Sequence, residues 1–147
     1  LTGLIIGLSS AATAFFSVYL GRMGDRVGHR RIVIAGLLAA GVVFLLQCLV
    51  DAGWQLLGLQ VLYGMALGGV VPGISALLAV TTRQGDEGAV YGLDNSITSG
   101  ARVVGPLLGV GISAWLGLRT VFGTAGLLYL MAGLLALLGL SKLGGRQ

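Results

Sequence analysis

The chain has 147 residues, of which 56% are hydrophobic and only 10% charged; it holds 27 glycines, and its mean hydropathy is +0.97. Soluble domains carry about 25% charged residues, so this chain has too little polar surface to stay dispersed in water. Intrinsic disorder fails for the opposite reason, since chains stay unfolded when their hydrophobicity is low. The composition defines a membrane protein. The formal charge of +4 is therefore no nucleic-acid footprint until its residues are located, and no nucleic-acid partner is expected. Cys48 is the single cysteine and sits in an apolar stretch, which excludes an internal disulfide and reads as a structural thiol. With one histidine there is no His/Cys cluster, so neither metal nor cofactor is expected.

Crossing the hydrocarbon takes roughly 20 apolar residues in a helix. Five stretches are that long: about 1–20, 32–50, 54–80, 95–117 and 120–141, and only Arg102 puts a charge inside one. The expected fold class is an all-α membrane protein, a single transmembrane bundle over 1–147. Four apolar runs follow the first, which argues against a cleavable signal peptide. Because the chain starts inside a hydrophobic segment without a methionine, it reads as a fragment.

The expected connections are Gly21–Arg31, Asp51–Gly53, Thr81–Asp94 and Gly117–Arg119. Short links make sequential helices antiparallel, so alternate links lie on opposite sides. One side collects Arg22, Arg26, Arg30, Arg31, Arg83, Lys142 and Arg146; the other has Arg119 alone. The positive-inside rule makes the basic side cytoplasmic. The expectation is a multi-pass protein of the cell (inner) membrane with a cytoplasmic C-terminus.

Polarity sorts the spans. The first carries Ser9, Ser10, Thr13 and Ser17, the third Gln55, Gln60 and Tyr63, and the fourth Asn95, Thr98, Ser99 and Arg102. Polar groups in hydrocarbon are expensive unless they face protein or water. Spans one, three and four are thus expected inside, with two and five toward lipid. Gly3/Gly7, Gly64/Gly68 and Gly105/Gly109 have the four-residue spacing of close helix contacts, although 27 glycines produce such pairs by chance. Pro72 and Pro106 fall within spans, where each removes a backbone bond and favours a kink or broken helix.

Tyr91, Asn95, Thr98 and Arg102 fall within about 60° of one another on a helix, and Arg102 reads equally well as a cavity residue or as one that snorkels or pairs with Asp94. Tyr63, Asn95, Thr98 and Arg102 are the substrate-cavity candidates. Trp54 and Trp115, near span ends, read as interface anchors.

The strongest local signal is Gly21-Arg22-Met23-Gly24-Asp25-Arg26-Val27-Gly28-His29-Arg30-Arg31. It is expected to form a tight turn, with Gly21, Gly24 and Gly28 permitting sharp geometry and Asp25 pairing with Arg26 or Arg30 or capping a helix. This string resembles the Gly-x-x-x-Asp-Arg-x-Gly-Arg-Arg loop of the major facilitator superfamily, with His29 at one arginine position. Gly105-Pro106-Leu107-Leu108-Gly109 is similar to the family's Gly-Pro-x-x-Gly stretch, and Leu118-Arg119-Thr120-Val121-Phe122 to the Trp-Arg-x-x-Phe that follows it. Order and spacing match along essentially the whole chain. Gln60, where the family's first half usually has an arginine, and the stretch Gly92–Pro106 resemble helices eight to twelve of a bacterial multidrug transporter.

The resemblance implies secondary active transport of a small organic solute by alternating access, as proton-coupled drug efflux. It makes Gly21, Asp25, Arg26, Gly28, Arg30 and Arg31 a conformational-switch loop, and Pro72, Gly105, Pro106 and Gly109 bending or packing positions. The implied partners are the lipid bilayer, a small-molecule substrate, protons and the N-terminal half of the same transporter. An uptake permease for a sugar or metabolite, or a non-transporting subunit or receptor, stays open. An enzyme is not expected, because no paired carboxylates or nucleophile–His arrangement occurs. Asp25, Asp51, Asp86, Glu87 and Asp94 all lie in loops or at helix ends, so a titrating group for proton coupling would belong to other helices.

Overall fold

The computed structural model describes residues 2–50 and 53–143, with side chains 2, 4–6, 9 and 140–143 outside the described set. Six helices follow one another: α1 (Thr2–Val27), α2 (His29–Gln47), α3 (Gly53–Gly68), α4 (Val70–Thr81), α5 (Glu87–Leu116) and α6 (Leu118–Leu143). Four stretches, His29–Gln47, Gly53–Thr81, Glu87–Leu116 and Leu118–Gly139, are long and apolar enough to cross a bilayer. Residues 2–20 of the first expected span lie within the 26 residues of α1, and Leu1 is outside the described residues. Asp51 and Arg146, and the side chain of Lys142, lie outside the described residues.

The helices outrun the apolar stretches that announce them. The turn expected over Gly21–Arg31 shrinks to Gly28, whose φ of 100° is open to glycine and strained for other residues. Gly21 and Gly24 are helical, and Gly28 N–H donates to Gly24 O at 2.9 Å as the last bond of α1. Similarly α5 starts at Glu87 and stays helical for 30 residues, about 45 Å at 1.5 Å per residue. Charged residues mark where hydrocarbon ends; a helix can continue into water beyond that point.

The stretch expected as the third span is interrupted. α3 stops at Gly68 and α4 resumes at Val70. Pro72 has no N–H, so it cannot donate to the Gly68 carbonyl four residues back. It sits in the first turn of α4, where that loss is tolerated. Pro106 behaves differently. It lies inside α5, which continues unbroken to Leu116, and deprives the Arg102 carbonyl of its usual donor.

Packing departs from the polarity sort at two helices. α2, expected toward lipid, is the centre of the bundle: it lies against α3, α4 and α6 and buries Ile32, Val33, Gly36, Ala40, Gly41, Val43 and Gln47. α5, expected inside, touches α6 and one end of α4 and buries none of its residues. The reason is that lipid tails are as apolar as leucine, so helices associate in a bilayer through close packing of small residues. A Cβ at position 36 would lie 2.5 Å from Val70 Cγ2 and 2.6 Å from Ala66 O, and one at position 41 would lie 2.7 Å from Leu130 Cγ. Gly126 and Gly133 of α6 are crowded in the same way by Leu45 and Leu38. Of the three expected glycine pairs, Gly68 packs on Phe16 of α1, whereas Gly3, Gly7 and Gly105 have open space beside them and Gly109 meets only Val121 at 4.0 Å. A polar stripe marks a face that requires water or more protein, which is why the most polar span is the least covered one here.

Candidate functional site

Three regions carry the polar chemistry. The first is the α1–α2 turn. His29, the first residue of α2, folds back over Gly24, where a Cβ would stand 2.5 Å from Nδ1. Its Nε2 lies 3.1 Å from Asp25 Oδ1. The partner of Asp25 is thus His29, in place of the expected Arg26 or Arg30, because continuing α1 through Val27 presents the carboxylate to the residue one turn on. Asp25 remains largely exposed, and Tyr19, Arg22, Met23 and Arg26 line a basic cleft of about 340 Å³ on the same helix. Arg30 and Arg31 follow His29 in the first turn of α2.

The second region lies beside the helix break. Ser10, Thr13, Ala14 and Ser17 of α1 and Leu67, Gly68, Val71 and Pro72 of α3–α4 line a cavity of about 520 Å³. Ser17 Oγ donates to Ala14 O at 2.8 Å. Pro72 thus belongs to a cavity wall as well as to a break. In the sequence Ser10, Thr13 and Ser17 read only as polarity of the first span; the signal for a shared wall is their spacing of three, four and seven, a one-face helical pattern.

The third is the open face of α5. Asn95, Thr98 and Arg102 are all exposed there, with Tyr91 one turn before them. Arg102 has no ion-pair partner among the described residues. Asp94 does not supply one, because eight residues of helix put the two about 12 Å apart along the axis. Ser96 Oγ turns inward to Gly92 O at 2.8 Å.

Tyr63, the fourth cavity candidate, is elsewhere. α3 makes no contact with α5. Tyr63 shares a 3.0 Å hydrogen bond with Tyr129 of α6, and Phe44 of α2 packs between them, edge-on to Tyr63 at 4.9 Å and stacked on Tyr129 at 5.5 Å. That assembly is an aromatic core joining three helices. Cys48 supports the same junction, its thiol donating to Arg119 O at 3.4 Å. Trp54 and Trp115 project outward, the latter 91% exposed. Among the described residues no group of three His, Cys, Asp or Glu side chains gathers as a metal would need.

Long apolar helices, a broken third span and a glycine-packed interior define a multi-pass helical membrane protein. The chain belongs to the Major Facilitator Superfamily, whose sequence profile matches residues 1–144. It is 38% identical over 127 residues to an uncharacterized MFS-type transporter, YuxJ, of Bacillus subtilis, covering 84% of this chain and 32% of that protein. It is 32% identical over 122 residues to the multidrug resistance protein MdtG of Salmonella arizonae, covering 83% of this chain and 30% of that one. MdtG of Salmonella newport gives the same figures. The chain spans about a third of the length of these curated relatives.

Proposed function

We propose that this chain is the segment from helix eight to helix twelve of a multidrug exporter, moving small organic solutes by alternating access in exchange for protons. The observation that carries the reading is the uncovered polar strip of α5, Asn95, Thr98 and Arg102, on a helix with no buried residue. Such a strip is stable in a membrane only against a wet cavity or further protein, and a second half would supply both. The names of the MdtG relatives favour drugs over sugars. The hydroxyl-lined cavity at the α3–α4 break adds a second polar wall, at a place where a broken helix can flex.

The test is dye efflux from drug-sensitive cells expressing the full-length protein. Loss of one charged contact should lower efflux by Arg102→Ala about tenfold or more, and Asn95→Ala and Thr98→Ala by a few-fold each. Unchanged efflux in all three would remove α5 from the solute path, and solute accumulation in place of efflux would turn the reading toward a permease.

The same reading places Arg22, Arg26, Arg30, Arg31 and Arg83 in the cytoplasm of a cell-membrane protein. A cysteine at position 83 should therefore resist an impermeant thiol reagent in intact cells, while one at position 53 should react. Labelling at 83 from outside would invert the topology.

A further inference from the structure

One face of α1 ends in two arginines without a counter-charge. Arg22 and Arg26, one helical turn apart, are both exposed and line the cleft of about 340 Å³ with Tyr19 and Met23. Neither has an ion-pair partner among the described residues, and Asp25, the carboxylate between them in sequence, is taken by His29. Tyr19 is 64% exposed where the charge-free run ends at Leu20, and tyrosine at such a position marks the membrane–water interface. Ser17 and Tyr19 lie about 160° apart around the helix, so this face is distinct from the one that lines the hydroxyl cavity.

Two apolar clefts continue from the basic one. The first, about 200 Å³, shares Met23 with it and runs past Leu20, Ala35 and Ala39. The second, about 350 Å³, shares Tyr19 and reaches Phe16 and Val43. Leu20, Ala39 and Ala66 line both apolar clefts, which makes the three one continuous track. Its hollow comes from small residues, Ala35 and Ala39 of α2 and Ala66 of α3, where leucines would fill the space. Ala35, Ala39 and Leu62 are exposed, so the track is open along its side. Phe16 lies ten residues before Arg26, about 15 Å of helix. That is half of a hydrocarbon core roughly 30 Å thick, the depth of one leaflet.

We propose that this track binds one anionic glycerophospholipid, such as phosphatidylglycerol, with its headgroup on Arg22 and Arg26 and its acyl chains in the two apolar clefts. Charge complementarity selects the headgroup. Guanidinium groups hold phosphate through paired N–H donors, and basic residues at the membrane surface attract lipids of net negative charge. Depth and continuity select a lipid. Free phosphate or an acidic protein segment would satisfy the arginines alone, whereas a phospholipid also fills two apolar clefts that reach one leaflet deep.

The test is native mass spectrometry of the delipidated full-length protein, titrated with phosphatidylglycerol and phosphatidylcholine of identical chains. One basic residue near the surface favours an anionic lipid by about fivefold, and two by about thirtyfold. Phosphatidylglycerol should lead phosphatidylcholine by that larger margin. Arg22→Gln should cut the lead about fivefold, and adding Arg26→Gln should bring the two lipids to parity in protein that still elutes as a folded species. Arg83→Gln, which removes an exposed arginine outside the track, should leave the lead intact. Ala39→Phe, which fills both apolar clefts, should weaken both lipids several-fold and keep the lead. Equal binding of the two lipids by the unsubstituted protein overturns the proposal and leaves the arginines to an acidic protein segment. An Arg83→Gln loss as large as that of Arg22→Gln overturns it as well, because the attraction is then diffuse charge. Unchanged lipid binding in Ala39→Phe takes the chains out of the clefts and does the same. Glycerol phosphate is the remaining arm: if it displaces phosphatidylglycerol as effectively as a second phospholipid does, the occupant is a soluble anion and the lipid assignment falls.

Discussion

Gly36→Ala should destabilise the full-length protein by about 1–3 kcal/mol, the usual cost of overpacking a tight interior. The new methyl would meet Val70 Cγ2 at 2.5 Å and Ala66 O at 2.6 Å. A side-chain methyl can move aside, whereas a backbone carbonyl in α3 can do so only by shifting the helix. Adding Val70→Ala should thus restore little of the lost stability. Gly73 provides the opposite case: its Cβ would meet Val33 Cγ2 at 2.6 Å and nothing else closer than 3.6 Å. There the pair Gly73→Ala with Val33→Ala should recover most of the loss. Gly58→Ala, with nothing within 4 Å, should leave stability unchanged or raised, since alanine favours helix over glycine. Thermal unfolding in detergent, followed by size-exclusion chromatography, reads all five. Full rescue of Gly36→Ala by Val70→Ala would mean that α2 and α3 are free to separate, and would contradict the packing described.

What the sequence conveyed and what it withheld divide along physical lines. Helical stretches were legible because the bilayer imposes a length of apolar chain that charges interrupt; Pro72 and Pro106 carry the same missing N–H, yet only the stretch with Pro72 breaks, so proline alone did not tell a break from a continuous helix. Helix ends were less legible. Glu87 and Asp94 precede the apolar part of α5 but belong to the helix, and Arg22, Asp25 and Arg26 extend α1. The choice of partners was not legible at all. With 27 glycines, spacing cannot separate Gly41, pressed against Leu130, from Gly105, which has open space; only the three-dimensional approach of α2 to α6 does that. Tyr63 was misplaced for a related reason. Its hydroxyl looked like a cavity group on α3, but Tyr129, 66 residues on, satisfies it from α6.

Asp25→Asn should slow transport more than it weakens substrate binding. Under the proposed function the family resemblance implies that this acid latches the closed cytoplasmic side, and a carboxylate near a helix N-terminus is worth about 0.3–1 kcal/mol, or up to about 2 when partly buried. Because 1.4 kcal/mol is tenfold, its loss should shift the two-state population by a few-fold to about thirtyfold. His29 holds the carboxylate in place from across the Gly28 turn, with Nε2 3.1 Å from Oδ1. His29→Ala should therefore reproduce part of the defect. In the double variant the two effects should fall short of their sum, as they do when two residues share one contact. Gly24 gives an independent handle. A methyl at position 24 would stand 2.5 Å from His29 Nδ1, so Gly24→Ala should push the imidazole off Asp25 and match His29→Ala while leaving both side chains present. Each variant should also raise labelling of Asn95→Cys from the cytoplasmic side, since an unlatched transporter spends more time open there. An exposed ion pair with no latching role is worth about 0–1 kcal/mol and has no route to Asn95, whose helix does not touch α1. Changes in labelling at position 95 therefore separate a latch from ordinary loop chemistry, and unchanged labelling in all three variants would reduce Asp25 to the latter.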